Sequence, residues 1–146
     1  MRYFRLRFDG ACKKSNDWTE AGCGWHVDEL VNDVWHRFAR HAFVPESIEM
    51  TCNVAEWMAL IDGLGWISRL RGDSFNLHIE GDSKLVIEQL KGGWKCKKLH
   101  LQKLKGMALE IINDMKIDLL ESWSAQWIPR KENHYADVLS KTTEVN

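Results

Sequence analysis

Hydrophobic and polar residues alternate at the start of the chain, which is the pattern of β-strands with one packed face. Residues 3–8 carry Phe or Leu at every even position and predict the first strand. Residues 22–30 and 34–43 predict two more strands, joined at Asn32-Asp33, a dipeptide suited to a tight turn. The first third of the chain is therefore expected to form a three-stranded antiparallel meander.

The rest of the chain alternates helical and strand patterns. Apolar residues spaced three and four apart from Val54 to Ile67 predict an amphipathic helix that Thr51 or Asn53 can cap. The later predicted elements are a strand over 75–79, a short helix ending at Gly92-Gly93, a helix over 99–115, a strand over 122–128 and a helix over 133–141. The order β-β-β-α-β-α-α-β-α predicts an α/β fold, a mixed five-stranded sheet flanked by helices, in a single domain over residues 1–146.

Composition narrows the class of protein. The 146 residues include 20 Lys and Arg against 21 Asp and Glu, and 45% are hydrophobic, which excludes a disordered chain and a uniformly basic nucleic-acid coat protein. The absence of a long apolar run and of a signal-type start predicts a cytoplasmic protein without a membrane span. Four cysteines without a C-x-x-C pair argue against zinc and favour reduced thiols: Cys12, Cys23, Cys52 and Cys96.

Four acidic residues stand at the ends or starts of predicted elements. Asp9 is expected to end the first strand, where Gly10 would let the backbone turn beside a ligand. Glu56 lies in the first turn of the long helix, Asp82 follows the fourth strand, and Asp137 lies on the last helix. Any one acid among 21 is explained as a cap or a solvated charge, but four from separate elements can converge at one edge of the sheet.

The sequences around these acids resemble the type 1 ribonuclease H family from Phe8 to about Ser140. The segments that carry the resemblance are Asp9-Gly10, Thr51-Cys52-Asn53-Val54-Ala55-Glu56, Glu80-Gly81-Asp82-Ser83 and the stretch from Trp127 to Asp137. The family has an Asp-Glu-Asp-Asp tetrad in this order on the first strand, the first helix, the fourth strand and the last helix. The resemblance implies a ribonuclease H-like fold and identifies all four acids as catalytic and metal-binding residues.

The resemblance also implies a reaction, which agrees with the chemistry of the four acids. Clustered carboxylates repel one another unless cations neutralise them, and sites with only oxygen ligands suit Mg²⁺, with Mn²⁺ as a substitute. The expected activity is endonucleolytic hydrolysis of the RNA strand of RNA–DNA hybrids by two metal ions, giving 5′-phosphate and 3′-hydroxyl ends. The resemblance further implies that Asp9 bridges both ions. Asp137 would bind the ion that activates water, and Glu56 and Asp82 would bind the other ion.

The loop before the last acid departs from the form most common in the family, because it has no His in the equivalent stretch. Pro129-Arg130 instead resembles a subgroup in which an Arg seven residues before the last Asp approaches the scissile phosphate. Arg130 is therefore a candidate catalytic residue, and the alternative is a surface Arg paired with Glu132.

Candidate substrate contacts come from small polar residues and from one basic segment. Because the 2′-hydroxyl alone labels an RNA strand, the small polar and backbone contacts are expected at Gly10, Ser15, Asn16, Thr51, Asn53 and Ser83. The family usually has Asn where this chain has Cys52, so contact with the RNA strand could be weakened. Residues 91–105 hold six Lys and no acid, and the candidate contacts to the DNA strand there are Trp94, Lys95, Lys97 and Lys98. The alternative for this segment is the solvated start of a helix.

Two other functions stay open at this point. The chain could be a non-catalytic ribonuclease-H-like module that binds nucleic acid or protein, although a scaffold gains nothing from four mutually repelling acids. It could also be a related nuclease or a domain derived from a retroelement reverse transcriptase. The expected ribonuclease is a monomer.

Overall fold

A five-stranded sheet with the order β3-β2-β1-β4-β5 is the centre of the computed structural model, which describes residues 1–14, 19–47 and 49–142. The strands are β1 (Arg2–Lys14), β2 (Thr19–Val31), β3 (Val34–Phe43), β4 (Phe75–Gly81) and β5 (Leu120–Trp127). The helices are α1 (Cys52–Ile67), α2 (Lys84–Lys91), α3 (Leu99–Ile117) and α4 (His134–Ser140), the last preceded by a 3₁₀ turn over Arg130–Asn133. This is the predicted order of elements, and the mixed sheet is confirmed.

The meander forms as predicted except at the end of its first strand. Asn32 and Asp33 both have positive φ, 52° and 64°, which is the backbone of a tight hairpin between β2 and β3. The prediction that β1 ends at Asp9-Gly10 is wrong. Antiparallel pairing with β2 continues from Phe4 to Lys14, and these added hydrogen bonds keep the chain extended through the expected turn.

Parallel pairing brings two of the acids together. β4 lies parallel to β1, with Phe8 opposite Gly81, so the C-terminal end of β4 lies beside the middle of β1. Asp9 is the next residue on β1 and Asp82 is the first residue after β4. A parallel register thus converts positions 73 residues apart in sequence into neighbours.

Helices α1, α2 and α3 cover the apolar face of the sheet. α1 begins after Thr51, whose hydroxyl accepts a hydrogen bond from the backbone N–H of Val54 at 3.2 Å, so Thr51 is the cap rather than Asn53. The buried core combines strand and helix side chains, among them Phe4, Leu6, Phe8, Trp25, Trp57, Leu60, Leu64, Ile79, Ile87 and Ile112. The even positions of β1 face this core, which leaves Arg5, Arg7 and Asp9 on the other face.

The second face of the sheet is polar and partly covered by α4. Arg7 pairs with Glu80 at 2.7 Å, and Arg5 pairs with the buried Asp28 at 2.8 Å. Burial alone would raise the pKa of Asp28, but His26 and the two arginines that bond to it hold that pKa well below its ordinary value. This face is therefore stabilised by compensated charges, and Asp9, which lies on the same face, has no arginine partner among the described hydrogen bonds and ion pairs.

Candidate active site

Three of the predicted acids converge where β4 ends beside the middle of β1. Asp9, Glu56 and Asp82 each offer a carboxylate oxygen, and these oxygens all lie within 4.8 Å of one another. Asp9 is buried with 5% exposure, whereas Glu56 and Asp82 are half-buried and open to the surface. Glu56 is the fifth residue of α1, slightly deeper in the helix than the first turn that the sequence suggested.

Asp137 joins this group through Asp9. The two carboxyl groups share a hydrogen bond, so Asp9 interacts with Asp137 as well as with Glu56 and Asp82. Burial, aided by the neighbouring carboxylates, raises the pKa of Asp9 to about 9. Burial also acts to raise the pKa of Asp137, but the hydrogen bond from Asp9 and the charges of Lys141 and Arg130 bring it below its ordinary value. Without cations, the cluster holds a proton at its centre.

The pKa of Glu56 is also raised, but by less than the pKa of Asp9. Burial and the charge of Asp82 raise the pKa of Glu56 to about 7, although a hydrogen bond from Ser83 lowers it. The hydroxyl of Ser83 also accepts from the N–H of Val86 and so caps α2 at the same time. Ser83, predicted as a substrate contact, thus lies next to Glu56 and lowers its pKa.

The donor set fits a hard divalent cation. The three nearest ligand atoms are all carboxylate oxygens, and the cluster contains no His or Cys. Mg²⁺ and Mn²⁺ prefer such ligands and keep positions open for water and phosphate oxygens. The raised pKa values of Asp9 and Glu56 also indicate a cation site, because a bound cation would relieve the repulsion among these acids in place of a proton.

Arg130 lies at the rim of the cluster. Its guanidinium is 3.4 Å from Asp137, and its side chain is 70% exposed. The alternative pairing with Glu132 is not present among the described ion pairs, while the Glu132 carbonyl accepts from Arg7. His134 is exposed on α4.

Some of the other residues predicted to contact the substrate lie near the carboxylate cluster. Thr51 and Asn53 are half-buried at the start of α1, and Cys52 between them is exposed, with its thiol 3.7 Å from the carbonyl oxygen of Cys12. Gly10 lies inside β1, where it allows α1 to approach closely: a Cβ there would be 2.3 Å from the Glu56 nitrogen. Its predicted turn is therefore wrong, and its role is close packing. Ser15 and Asn16 lie outside the described residues.

Residues 92–98 of the basic segment form an exposed loop between α2 and α3, and residues 99–105 are the start of α3. Trp94 is 44% exposed, and Lys95, Lys97 and Lys98 are also exposed. Trp94 and Lys97 line a shallow groove of about 650 Å³ with Gln102. The loop is anchored by a hydrogen bond from the amide of Gln89 to the carbonyl of Lys95 at 3.4 Å.

Asn133 and Trp127 also touch the cluster, and sequence reasoning did not identify either. The side-chain amide of Asn133 donates to the Asp82 carboxylate at 3.3 Å, and the indole N–H of Trp127 donates to the Asp82 carbonyl at 3.1 Å. The Asn-x-x-Ala-Asp turn was visible in the sequence. A single Asn before a helix reads as a cap, however, so only the fold shows that its amide points inward.

None of the helices in the described residues is long and apolar enough to cross a membrane.

Comparison with solved structures defines the class of fold. RNase H1 from Halobacterium salinarum superposes with a TM-score of 0.76 at 27% identity, covering 95% of each chain. The N-terminal RNase H domain of Rv2228c from Mycobacterium tuberculosis gives 0.75 at 28% identity, covering 97% of this chain and 99% of that one. LC11-RNase H1, solved in complex with an RNA/DNA hybrid, gives 0.74 at 23% identity over 97% and 96% of the two chains, which shows the fold alone. The chain therefore has the ribonuclease H fold.

Within that fold the family is defined as well. Residues 7–143 match the family described as Reverse transcriptase-like, and the chain belongs to it. Over 90 residues the chain is 37% identical to the bifunctional protein Rv2228c, which corresponds to 62% of this chain and 23% of that protein. It is 32% identical to Ribonuclease HI of Halobacterium salinarum over 62% of this chain and 42% of that one. The chain thus spans less than half the length of either of these two relatives in the sequence alignments.

Proposed function

We propose that this protein hydrolyses the RNA strand of RNA–DNA hybrids with Mg²⁺ bound at the carboxylate cluster, giving 5′-phosphate and 3′-hydroxyl ends. The observation that carries the proposal is the convergence of Asp9, Glu56 and Asp82 within 4.8 Å, with Asp137 bonded to Asp9. Relatives named ribonuclease H at 27% to 32% identity support the same activity. Among the open alternatives, a non-catalytic module has no use for a cluster of repelling charges.

Each acid has a distinct part in the proposed site. When bound, two divalent ions polarise the scissile phosphate and lower the pKa of the attacking water. Asp9 interacts with all three other acids and would hold both ions, Glu56 and Asp82 would hold one of them, and Asp137 would hold the other. Ser83 orients Glu56 by its hydrogen bond, so that the ligand set is preorganised.

The exposed loop of Trp94, Lys95, Lys97 and Lys98 is the proposed contact for the DNA strand. Its lysines can neutralise phosphates, and the half-exposed indole offers a flat surface for a sugar or a base. Thr51 and Asn53, at the start of α1 beside the cluster, are the proposed contacts for the RNA strand, together with Ser15 and Asn16. Such contacts distinguish strands by sugar and shape, so little preference for base sequence is expected.

Cleavage is expected to require a divalent cation and a hybrid substrate. The purified protein is incubated with end-labelled RNA–DNA hybrid, double-stranded RNA and duplex DNA, each with Mg²⁺, Mn²⁺ or EDTA. Cutting of the RNA strand of the hybrid alone, with cation and not with EDTA, is the expected result. Cleavage that persists in EDTA would contradict the metal mechanism, and binding of hybrid without cleavage under any condition would favour a non-catalytic module.

Arg130 is proposed to bind the scissile phosphate, as in the Pro-Arg subgroup. Arg130→Ala is expected to lower kcat about 10- to 100-fold, because one charge-bearing donor to the reacting phosphate is lost. Its pairing with Asp137 is exposed, so the Tm should stay nearly constant. The neighbouring exposed Lys131 provides the matched control, since Lys131→Ala removes an equal charge from the same turn. Equal rates for the Arg130 variant and the wild type would exclude Arg130 from the reaction.

A further inference from the structure

Asn133 occupies an unusual position for a polar side chain. It is fully buried at the end of the 3₁₀ turn, directly before α4, the helix that carries Asp137. Its amide nitrogen donates to the backbone carbonyl of Phe8 at 2.9 Å and to the carboxylate of Asp82 at 3.3 Å. Phe8 is the residue before Asp9, so one side chain connects three of the four chain segments that supply the carboxylates.

The orientation of this amide follows from its surroundings. Both groups that face it, a carbonyl and a carboxylate, accept hydrogen bonds, so only the NH₂ end can be turned toward them. The Oδ1 atom is buried and has no hydrogen-bond partner in the part of the chain that the structure describes. An unpaired buried oxygen is costly. The presence of an amide at position 133 is therefore explained by the hydrogen bonds that its NH₂ group donates.

The backbone around Asn133 is held independently of its side chain. Arg7 donates to the carbonyl of Glu132 at 3.0 Å, and the N–H of Ile128 donates to the carbonyl of Gly81 at 2.9 Å. Trp127 holds the carbonyl of Asp82. These contacts position the main chain. The side chain of Asn133 is then what sets the direction of the Asp82 carboxylate and the distance of that carboxylate from β1.

We infer that Asn133 is a positioning residue that aims the Asp82 carboxylate at the cation site and fixes its distance from Asp9. The inference rests on the proposed function, because it assigns a second layer to the proposed cation site. Groups that hydrogen-bond to metal ligands typically change metal affinity about 10- to 100-fold when they are removed. Asn133 acts on the ligand rather than on the substrate, so its loss should appear in cation binding before any substrate is present.

The test measures Mn²⁺ binding to the full chain by isothermal titration calorimetry, without nucleic acid. Asn133→Ala is expected to weaken binding about tenfold or more. Gln89→Ala is the matched control, because Gln89 is also a buried amide with an unpaired oxygen but lies on α2 and donates to Lys95. That variant should lose stability comparably and bind Mn²⁺ like the wild type.

A second measurement uses the wild-type protein and so does not depend on how well a variant folds. The side-chain NH₂ signals of Asn133 in an amide NMR spectrum should shift on addition of Mg²⁺, while those of Gln89 should not. Asn133→Ala that binds Mn²⁺ within twofold of the wild type, or NH₂ signals of Asn133 that Mg²⁺ leaves unchanged, would overturn the inference while leaving the proposed function intact. Failure of the wild type to bind either cation would instead overturn the proposed site and this inference with it.

Discussion

Asp9→Asn is expected to lower hydrolysis of the RNA strand by at least about 1,000-fold, while the affinity for the hybrid changes only a few-fold. Asp9 is the central member of the cluster, bonded to Asp137 and within 4.8 Å of the ligand oxygens of Glu56 and Asp82. An amide occupies the same volume but carries no charge for a cation. The substrate contacts proposed for the basic loop and for the start of α1 do not involve this side chain, so binding should survive.

The same substitution is expected to stabilise the protein in EDTA, and the gain should grow with pH. Burial and neighbouring acids raise the pKa of Asp9 to about 9 in the folded state, whereas an unfolded carboxyl has a pKa of about 3.9. A group with a raised folded pKa contributes stability that is complete below about pH 4 and is lost as pH rises through about 9. An asparagine has no proton to lose and keeps its hydrogen-bond donor, so the variant avoids that loss.

Urea unfolding at pH 5 and at pH 9 in EDTA measures this difference. The stability of the Asp9→Asn variant relative to the wild type should rise by about 4 to 5 kcal/mol between the two pH values, because the pKa of Asp9 is about 9 in the folded state and about 3.9 in the unfolded state. Asp114→Asn, at an exposed acid on α3, is the control for removing one negative charge. A variant that retains cleavage, or whose stability relative to the wild type is the same at both pH values, would contradict the role assigned to Asp9.

The order of elements was predictable because each had its own periodicity, and the hairpin at Asn32-Asp33 because both residues tolerate positive φ. The end of β1 was not predictable from the local sequence. Asp9-Gly10 reads as a stop, since glycine permits a turn, but the pairing of residues 10–14 with β2 is a long-range interaction that local sequence does not carry. Strand ends depend on the partner strand as much as on the residues themselves.

The candidate site also has a part that could be predicted from the sequence and a part that could not. The four acids could be proposed from the sequence because their order along the chain matches the family that it resembles, and the proximity of Asp9 and Asp82 follows from the parallel register of β1 and β4. The contacts that orient them were not recognisable, since Ser83 and Asn133 are residue types common in turns and caps. Whether such a side chain bonds its own helix or a carboxylate from another strand depends on distances that arise only after folding.

Gly10→Ala is expected to destabilise the protein by about 3 kcal/mol and to lower hydrolysis at least about 100-fold. A Cβ at this position would lie 2.3 Å from the nitrogen of Glu56 and 2.4 Å from the carbonyl carbon of Ala55. Both are backbone atoms of α1, so no side chain can turn away to relieve the clash. The helix must move from β1 by several tenths of an ångström or more, and Glu56 must move with it, away from Asp9.

Gly65→Ala in the same helix provides the comparison, because nothing lies within 4 Å of a Cβ there. It should stabilise α1 by about 0.5 to 1 kcal/mol, as expected for glycine replaced in a helix interior, with hydrolysis unchanged. Urea unfolding and initial rates on labelled hybrid distinguish the two substitutions. If Gly10→Ala were as stable and as active as the wild type, then the close approach of β1 and α1 would not set the position of Glu56. If it lost stability but kept its rate, the cluster would tolerate a displaced Glu56, and the remaining acids alone would suffice to hold the cations.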